Sequence, residues 1–176
     1  YGVAIGNGAG EINQKATSVA VGAGSGRTTL GDGVTAIGSS AGNTNMGAEA
    51  TAIGLSAGHT NMGVGCVAVG SNAGFNTQNT YAVAVGTAAG YQLQQQNAVA
   101  IGHDAGLTFQ GAYSIALGAG AGNFNQAANS ISINASGGTV NPTVPGCFIR
   151  PIRGIAHGIG VGVMFYDGNE VTYSTT

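Results

Sequence analysis

The 176 residues include 34 glycines, 43% hydrophobic residues and only 6% charged ones, with a formal net charge of −2. That much hydrophobicity with only three prolines excludes disorder of the low-hydrophobicity kind, and glycine that does not recur every third residue excludes collagen. The four basic residues, Lys15, Arg27, Arg150 and Arg153, form no stripe for nucleic acid, and no apolar run reaches the roughly 18 residues of a membrane helix.

From the first residues onward the chain is a repeat. A glycine follows a short apolar triplet at Gly6, Gly22, Gly38, Gly54, Gly70, Gly86, Gly102 and Gly118, sixteen residues apart each time, and Asn134 takes the ninth place. Positions in a coil are counted below from this marker. The triplets run from Val3-Ala4-Ile5 through Val67-Ala68-Val69 to Ile131-Ser132-Ile133. Large, small, large is period two, the mark of a strand whose successive side chains face opposite sides. The β-branched ends suit a pleated, half-buried surface. The central alanine predicts a second surface that something approaches closely, which three parallel rolls sharing an axis would bury.

A small pair follows three and four residues after the marker, from Ala9-Gly10 to Gly137-Gly138. With the marker it predicts two corners per coil, where φ is positive or backbones crowd. The residues left over allow a second short strand and a return turn. The expected fold is all-β: a parallel β-roll or solenoid of sixteen-residue coils with two short strands each. Eight residues after the marker stand Gln14, Leu30, Met46, Met62, Gln78, Gln94, Gln110 and Gln126. Gln78, Gln94, Gln110 and Gln126 are candidates for a stacked amide ladder, or else occupy an exposed neutral position. Five residues after the marker the column varies most: Glu11, Arg27, Asn43, His59, Phe75, Tyr91, Leu107, Asn123. Variation on a rigid repeat marks a solvent-facing edge. Phe75, Tyr91 and Leu107 form a stripe that either contacts a host receptor or glycan, or packs against a neighbour.

Pro142 and Pro145 interrupt the pattern. The expected division is a repeat domain of about nine coils over 1–138, a linker over 139–146 and a β neck or cap over 147–176. In the last segment Cys147–Ile152, Ile159–Tyr166 and Glu170–Ser174 read as strands, with Asp167-Gly168-Asn169 as a hairpin turn. Such a cap would cover a solenoid edge that otherwise invites aggregation.

No catalytic, cofactor-binding or metal site is predicted. The acids lie apart, with only Asp167 and Glu170 close, so no carboxylate pair of glycosidase type emerges. His59, His103 and His157 occupy unrelated positions; only three copies of His157 on a trimer axis would bring imidazoles together. The phosphate-loop and calcium-repeat patterns are absent. Cys66 and Cys147 make no disulfide framework and read as two buried apolar thiols.

The coils resemble the heads of trimeric autotransporter adhesins, most closely at Ser18-Val19-Ala20-Val21-Gly22 and Ser114-Ile115-Ala116-Leu117-Gly118. That resemblance covers 1–138 and implies a left-handed parallel β-roll in a tight homotrimer; coils of the family are shorter than these. The tail, with Phe148-Ile149-Arg150-Pro151-Ile152-Arg153, Met164-Phe165-Tyr166-Asp167 and Glu170-Val171-Thr172-Tyr173-Ser174-Thr175, is similar to fibre proteins of phages and giant viruses just before a self-cleaving, endosialidase-type intramolecular chaperone. It departs from them at Arg150 and in the glycine-rich stretch 154–163. Slow assembly of non-local β contacts is a physical reason for such a helper.

Together these features imply a structural fibre or adhesin segment on a virion or cell surface, matured by loss of the chaperone. Its partners are then other copies of itself and a host receptor or glycan, with no nucleic acid and no membrane insertion. The alternatives are a self-assembling extracellular filament and an ice-binding solenoid. Against the latter, Thr28, Thr44, Thr60 and Thr108 form a broken column.

Overall fold

A computed structural model describes residues 1–151 and the backbone of 163–167 and 170–174. The described chain is all-β. One wall of the solenoid is a ten-stranded parallel sheet of β1 (Val3–Ile5), β3 (Val19–Val21), β5 (Thr35–Ile37), β7 (Thr51–Ile53), β9 (Val67–Val69), β11 (Val83–Val85), β13 (Val99–Ile101), β14 (Ile115–Leu117), β15 (Ser130–Asn134) and β16 (Gly146–Arg150). The opposite wall is a six-stranded parallel sheet of β2 (Ile12–Gln14), β4 (Thr28–Leu30), β6 (Thr44–Met46), β8 (Thr60–Met62), β10 (Asn76–Gln78) and β12 (Gln92–Gln94). Single bridges, Gln92 to Thr108 and Thr108 to Phe124, carry that wall further. Every pairing has the sixteen-residue offset, so Ile53 lies beside Val69 and Val69 beside Val85. At about 4.8 Å per coil the stack is roughly 40 Å long.

The alternation in the triplets is real, but its two faces are the reverse of the expected ones. Ala20, Ala36, Ala52, Ala68, Ala84, Ala100 and Ala116 are fully buried inside the roll. The β-branched ends point outward, leaving Ile37 at 39%, Ile53 at 38% and Leu117 at 42% exposure. The cause lies across the coil. The second wall sends one long side chain per coil inward, at Leu30, Met46, Met62 and then Gln78, Gln94, Gln110 and Gln126, all buried. That single chain fills the gap. The facing positions hold alanine, the corner glycines hold no side chain, and valine in their place would overpack. A Cβ on Gly74 would lie 2.5 Å from Gln78 Oε1 and 3.2 Å from the Cβ of Ala68.

The marker glycines have φ between 103 and 132°. They stack so closely that a Cβ on Gly70 would come within 2.6 Å of the Gly86 carbonyl oxygen. Backbone approach as well as φ therefore demands glycine there. The second wall holds a feature the sequence concealed. Its middle residues, Asn13, Thr29, Asn45, Asn61, Thr77, Leu93, Phe109 and Asn125, all have φ between 50 and 57°. Asparagine tolerates this left-handed region; threonine, leucine and phenylalanine do so at a cost. Only the first and last residues of these short strands pair, as in Ile12 with Thr28 and Gln14 with Leu30.

Residues 139–146, read from the sequence as a linker, close the ninth coil. Ala121 bridges to Val140, Gly122 N donates to Val140 O at 2.7 Å, and Ala127 N donates to Pro142 O at 2.8 Å. Gly146–Arg150 then joins the long sheet at the unchanged offset, with Ile131 beside Cys147 and Ile133 beside Ile149. Pro142 takes the buried inward position eight residues after Asn134, and Pro145 lies in the bend that follows. Asn134, at the ninth marker, makes this closure. Its Nδ2 donates to Ala119 O at 2.6 Å and to Gly138 O, and its Oδ1 accepts from Ser136 N at 3.0 Å. Cys66 is buried as expected, but Cys147 is exposed, because its place in the strand lies on the outward side.

β17 (Val163–Asp167) and β18 (Glu170–Ser174) form an antiparallel pair with Asp167 opposite Glu170, which leaves a two-residue connection. The connecting residues 168–169 lie outside the described residues, as do His157 and the expected strand start at Ile159.

Candidate functional site

Three surfaces of the rod carry candidate function. The first is the outward side of the ten-stranded sheet. Two parallel columns of Val, Ile, Thr and Leu run along it from Val3 and Ile5 to Ile131 and Ile133, continued by Cys147 and Ile149. Nothing in the chain covers them among the described residues, and Ile37, Ile53, Ile101, Ile115 and Leu117 are exposed. A continuous apolar patch of this length is unusual on a lone soluble chain. The sequence shows these residues plainly; only the choice of inward face hid their role.

The second surface is the varied column five residues after the marker. Arg27 Nε donates to Glu11 Oε2 at 2.9 Å across adjacent coils. His59 stacks on Phe75 with ring centres 4.8 Å apart and planes 14° apart, and Phe75 stacks on Tyr91 at 5.0 Å and 11°. The coil spacing makes this unavoidable for rings in one column. Phe75 thus has both ring faces covered by neighbours of its own chain, and only ring edges point outward. Leu107 follows one coil on.

The third is the interior glutamine column. Gln78 Nε2 donates to Val67 O at 2.9 Å and Ala82 O at 3.0 Å, and Gln94 Nε2 to Val83 O at 2.8 Å and Ala98 O at 3.2 Å. Gln110 and Gln126 reach Val99 O and Ile115 O in the same way. One contact runs along the rod, from Gln94 Nε2 to Gln110 Oε1 at 3.0 Å. The amides therefore mainly tie one wall to the other. Oε1 of Gln78, Gln94 and Gln126 is buried without a hydrogen bond among the described residues.

The remaining polar groups do not converge. His59 Nδ1 lies 2.9 Å from Thr60 Oγ1, and His103 Nδ1 lies 3.3 Å from Asp104 Oδ2. Among the described residues no three His, Cys, Asp or Glu side chains come together as a metal site would need. Burial pushes the Cys66 thiol above its ordinary value of 9.0, and its Sγ donates to Asn79 O at 2.8 Å. Thr28, Thr44 and Thr60 stack in register, but Asn76 and Gln92 interrupt the column before Thr108. No described helix is long and apolar enough to cross a membrane.

Fold and surfaces define a parallel β-solenoid repeat protein, an architecture typically structural. Comparison with protein-family models, with curated proteins and with solved structures finds no match to this chain.

Proposed function

We propose that the chain is a rigid segment of a fibre or adhesin at a virion or cell surface, without catalytic activity, and that it works as a homotrimer. The observation that carries this reading is the uncovered apolar face that runs the length of the ten-stranded sheet. Exposed faces of this size mark association. The face is only two side-chain columns wide, which suits three rods around a common axis. Because the coils repeat by translation, a threefold axis along the rod sets each coil beside its own copy, and like residues meet at every level. The alanine column, first expected at that axis, is inside the roll; the Val, Ile and Leu columns take its place in the proposal. Display of a receptor or glycan contact at the rod's edges, and maturation by loss of a C-terminal chaperone, draw on the resemblance of the coils and tail.

Mass in solution tests this reading. A particle near three times 17.0 kDa is expected. Val69→Lys with Val85→Lys should return it to 17.0 kDa with the β-type circular dichroism retained, since both side chains point out of the roll. A wild-type monomer at micromolar concentration refutes the trimer. Mass that grows with concentration beyond three chains favours the filament.

A further inference from the structure

The corner after the marker has an outward trench over the first three coils, lined by Asn7, Glu11, Arg27, Ser39, Ser40 and Asn43, with Gly8, Ala23 and Gly24 as its floor. The same coil positions line a second concavity at the far end, around Asp104, Gly120 and Asn123. We propose that the first trench binds a neutral, hydroxyl-rich chain, an oligosaccharide, laid along the rod. This deepens the display role proposed above and does not depend on the trimer.

The backbone itself supplies a row of acceptors. In this corner the ladder runs from the second residue after each marker to the first residue of the preceding coil: Gly24 N to Asn7 O at 2.8 Å, Ser40 N to Ala23 O at 2.8 Å, Ser56 N to Ser39 O at 2.9 Å. At Gly8, Gly24 and Ser40 the carbonyl of the second residue takes no part in that ladder among the described residues, whereas at the far end Gly120 O accepts from Val140 N at 3.2 Å. Twice, a side-chain amide reaches in to use that carbonyl: Asn43 Nδ2 to Gly24 O at 3.0 Å, and Asn123 Nδ2 to Asp104 O at 3.3 Å. These contacts show that a donor held in the trench finds its acceptor there. Gly8 O and Ser40 O, on either side of Gly24, receive no such donor, because Arg27 is held by Glu11 and His59 by Thr60.

Donors face the same space. Arg27 uses Nε on Glu11 and keeps the rest of its guanidinium fork; Ser39, Ser40 and Asn7 add hydroxyls and an amide. The Glu11–Arg27 pair is electrically balanced, so the trench has no net charge to attract an ion. Alternating donors and acceptors at coil spacing, without an apolar wall, fit a ligand that both gives and takes hydrogen bonds along its length. A chain of linked sugars has that chemistry. The aromatic stripe at Phe75, by contrast, offers no free ring face for stacking.

Glycine in the floor is a matter of space. The left-handed conformation at this coil position, φ 51 to 65°, is met by Ser40, Ser56, Asn72, Ala88 and Asp104 as well as by Gly8, Gly24 and Gly120. A Cβ on Gly24 would meet nothing nearer than 3.5 Å. Gly24→Asn therefore keeps the coil while its side chain fills the trench, and Ala88→Asn is the same change outside it.

The test is titration calorimetry of the whole chain against linear hexasaccharides of glucose, mannose, galactose and N-acetylglucosamine, with a sulfated hexasaccharide and an acidic peptide alongside. At least one neutral hexasaccharide should bind. Gly24→Asn should weaken it by about tenfold or more as hydrogen bonds and space are lost, and Ala88→Asn should leave it unchanged. The proposal fails if no neutral hexasaccharide binds at millimolar concentration, if Gly24→Asn binds equally well with its circular dichroism intact, or if the sulfated sugar or the peptide binds more tightly. Particle mass is read separately, so loss of the trimer reading and loss of this one are distinct results.

Discussion

The two walls of the solenoid solve the same packing problem in opposite ways. The ten-stranded wall turns its small residue inward and its large ones outward; the six-stranded wall turns its long residue inward and leaves mainly Thr, Asn and Gln outside, with Ile12, Phe109 and Phe124 as exposed exceptions. Each coil has room for one long side chain, and the second wall provides it. The first wall is thereby free to spend its β-branched residues on an exterior face. The apolar exterior is thereby concentrated on the ten-stranded wall, the face on which the proposed trimer rests.

The largest expected effect that would sharpen this contrast is a pair of neighbouring changes on one strand. Ala84→Leu adds three carbons to a space already occupied by Gln94 and should cost about 3 kcal/mol or more. Val83→Thr, one residue earlier and outward, repeats what Thr35 and Thr51 already do in that column and should cost within about 1 kcal/mol. Denaturant melts of the two variants, compared in the same oligomeric state, measure the difference. Equal costs would break the assignment of inside and outside.

A second comparison divides the long-side-chain column itself. Leu30, Met46 and Met62 fill the roll with apolar atoms, and Gln78 to Gln126 fill it with amides. The Ala82 carbonyl that Gln78 binds is not left bare without it, since it also accepts from Val67 N at 3.0 Å. Gln78 Oε1 has no hydrogen bond of its own among the described residues. Gln78→Leu should therefore change stability by about 1 kcal/mol or less, gains in apolar burial offsetting lost hydrogen bonds. A loss of several kcal/mol would show the amides to be indispensable ties between walls.

The smallest effect is on pH dependence. Cys66 sits just inside the first wall, at the coil position where Ala50 and Ala82 stand. Burial raises its folded pKa above 9.0, so above that pH the unfolded chain gives up a proton that the folded chain keeps. Stability from this group is whole below the unfolded value and is lost as pH rises through the folded one. Cys66→Ala should flatten the alkaline limb of a stability profile and leave the neutral region nearly unchanged. An identical alkaline slope in both proteins would refute the assignment.

Much of this molecule was legible in its residues. The sixteen-residue phase, the strand in each triplet, the corners at the marker glycines and the antiparallel pair ending in Glu170–Ser174 follow from periodicity and turn chemistry, because those are local properties of the chain. Strand pairing at a constant offset then follows too, since identical coils stack best on themselves. Asparagine at 13, 45, 61 and 125 hinted at the left-handed middle of the second strand, but Thr29, Leu93 and Phe109 in the same column masked it. The continuation of the phase through Pro142 and Pro145 was masked by composition.

What the tertiary structure alone decided is which face of each strand is inside. Alternation names two sides of a strand without ranking them, and hydrophobicity ranks them wrongly here. The outcome depends on the width of the roll, which is set by the corner glycines and by the one long side chain arriving from the opposite wall. That width admits Ala84 and excludes Val83 and Val85, so the β-branched residues of the triplets end up outside.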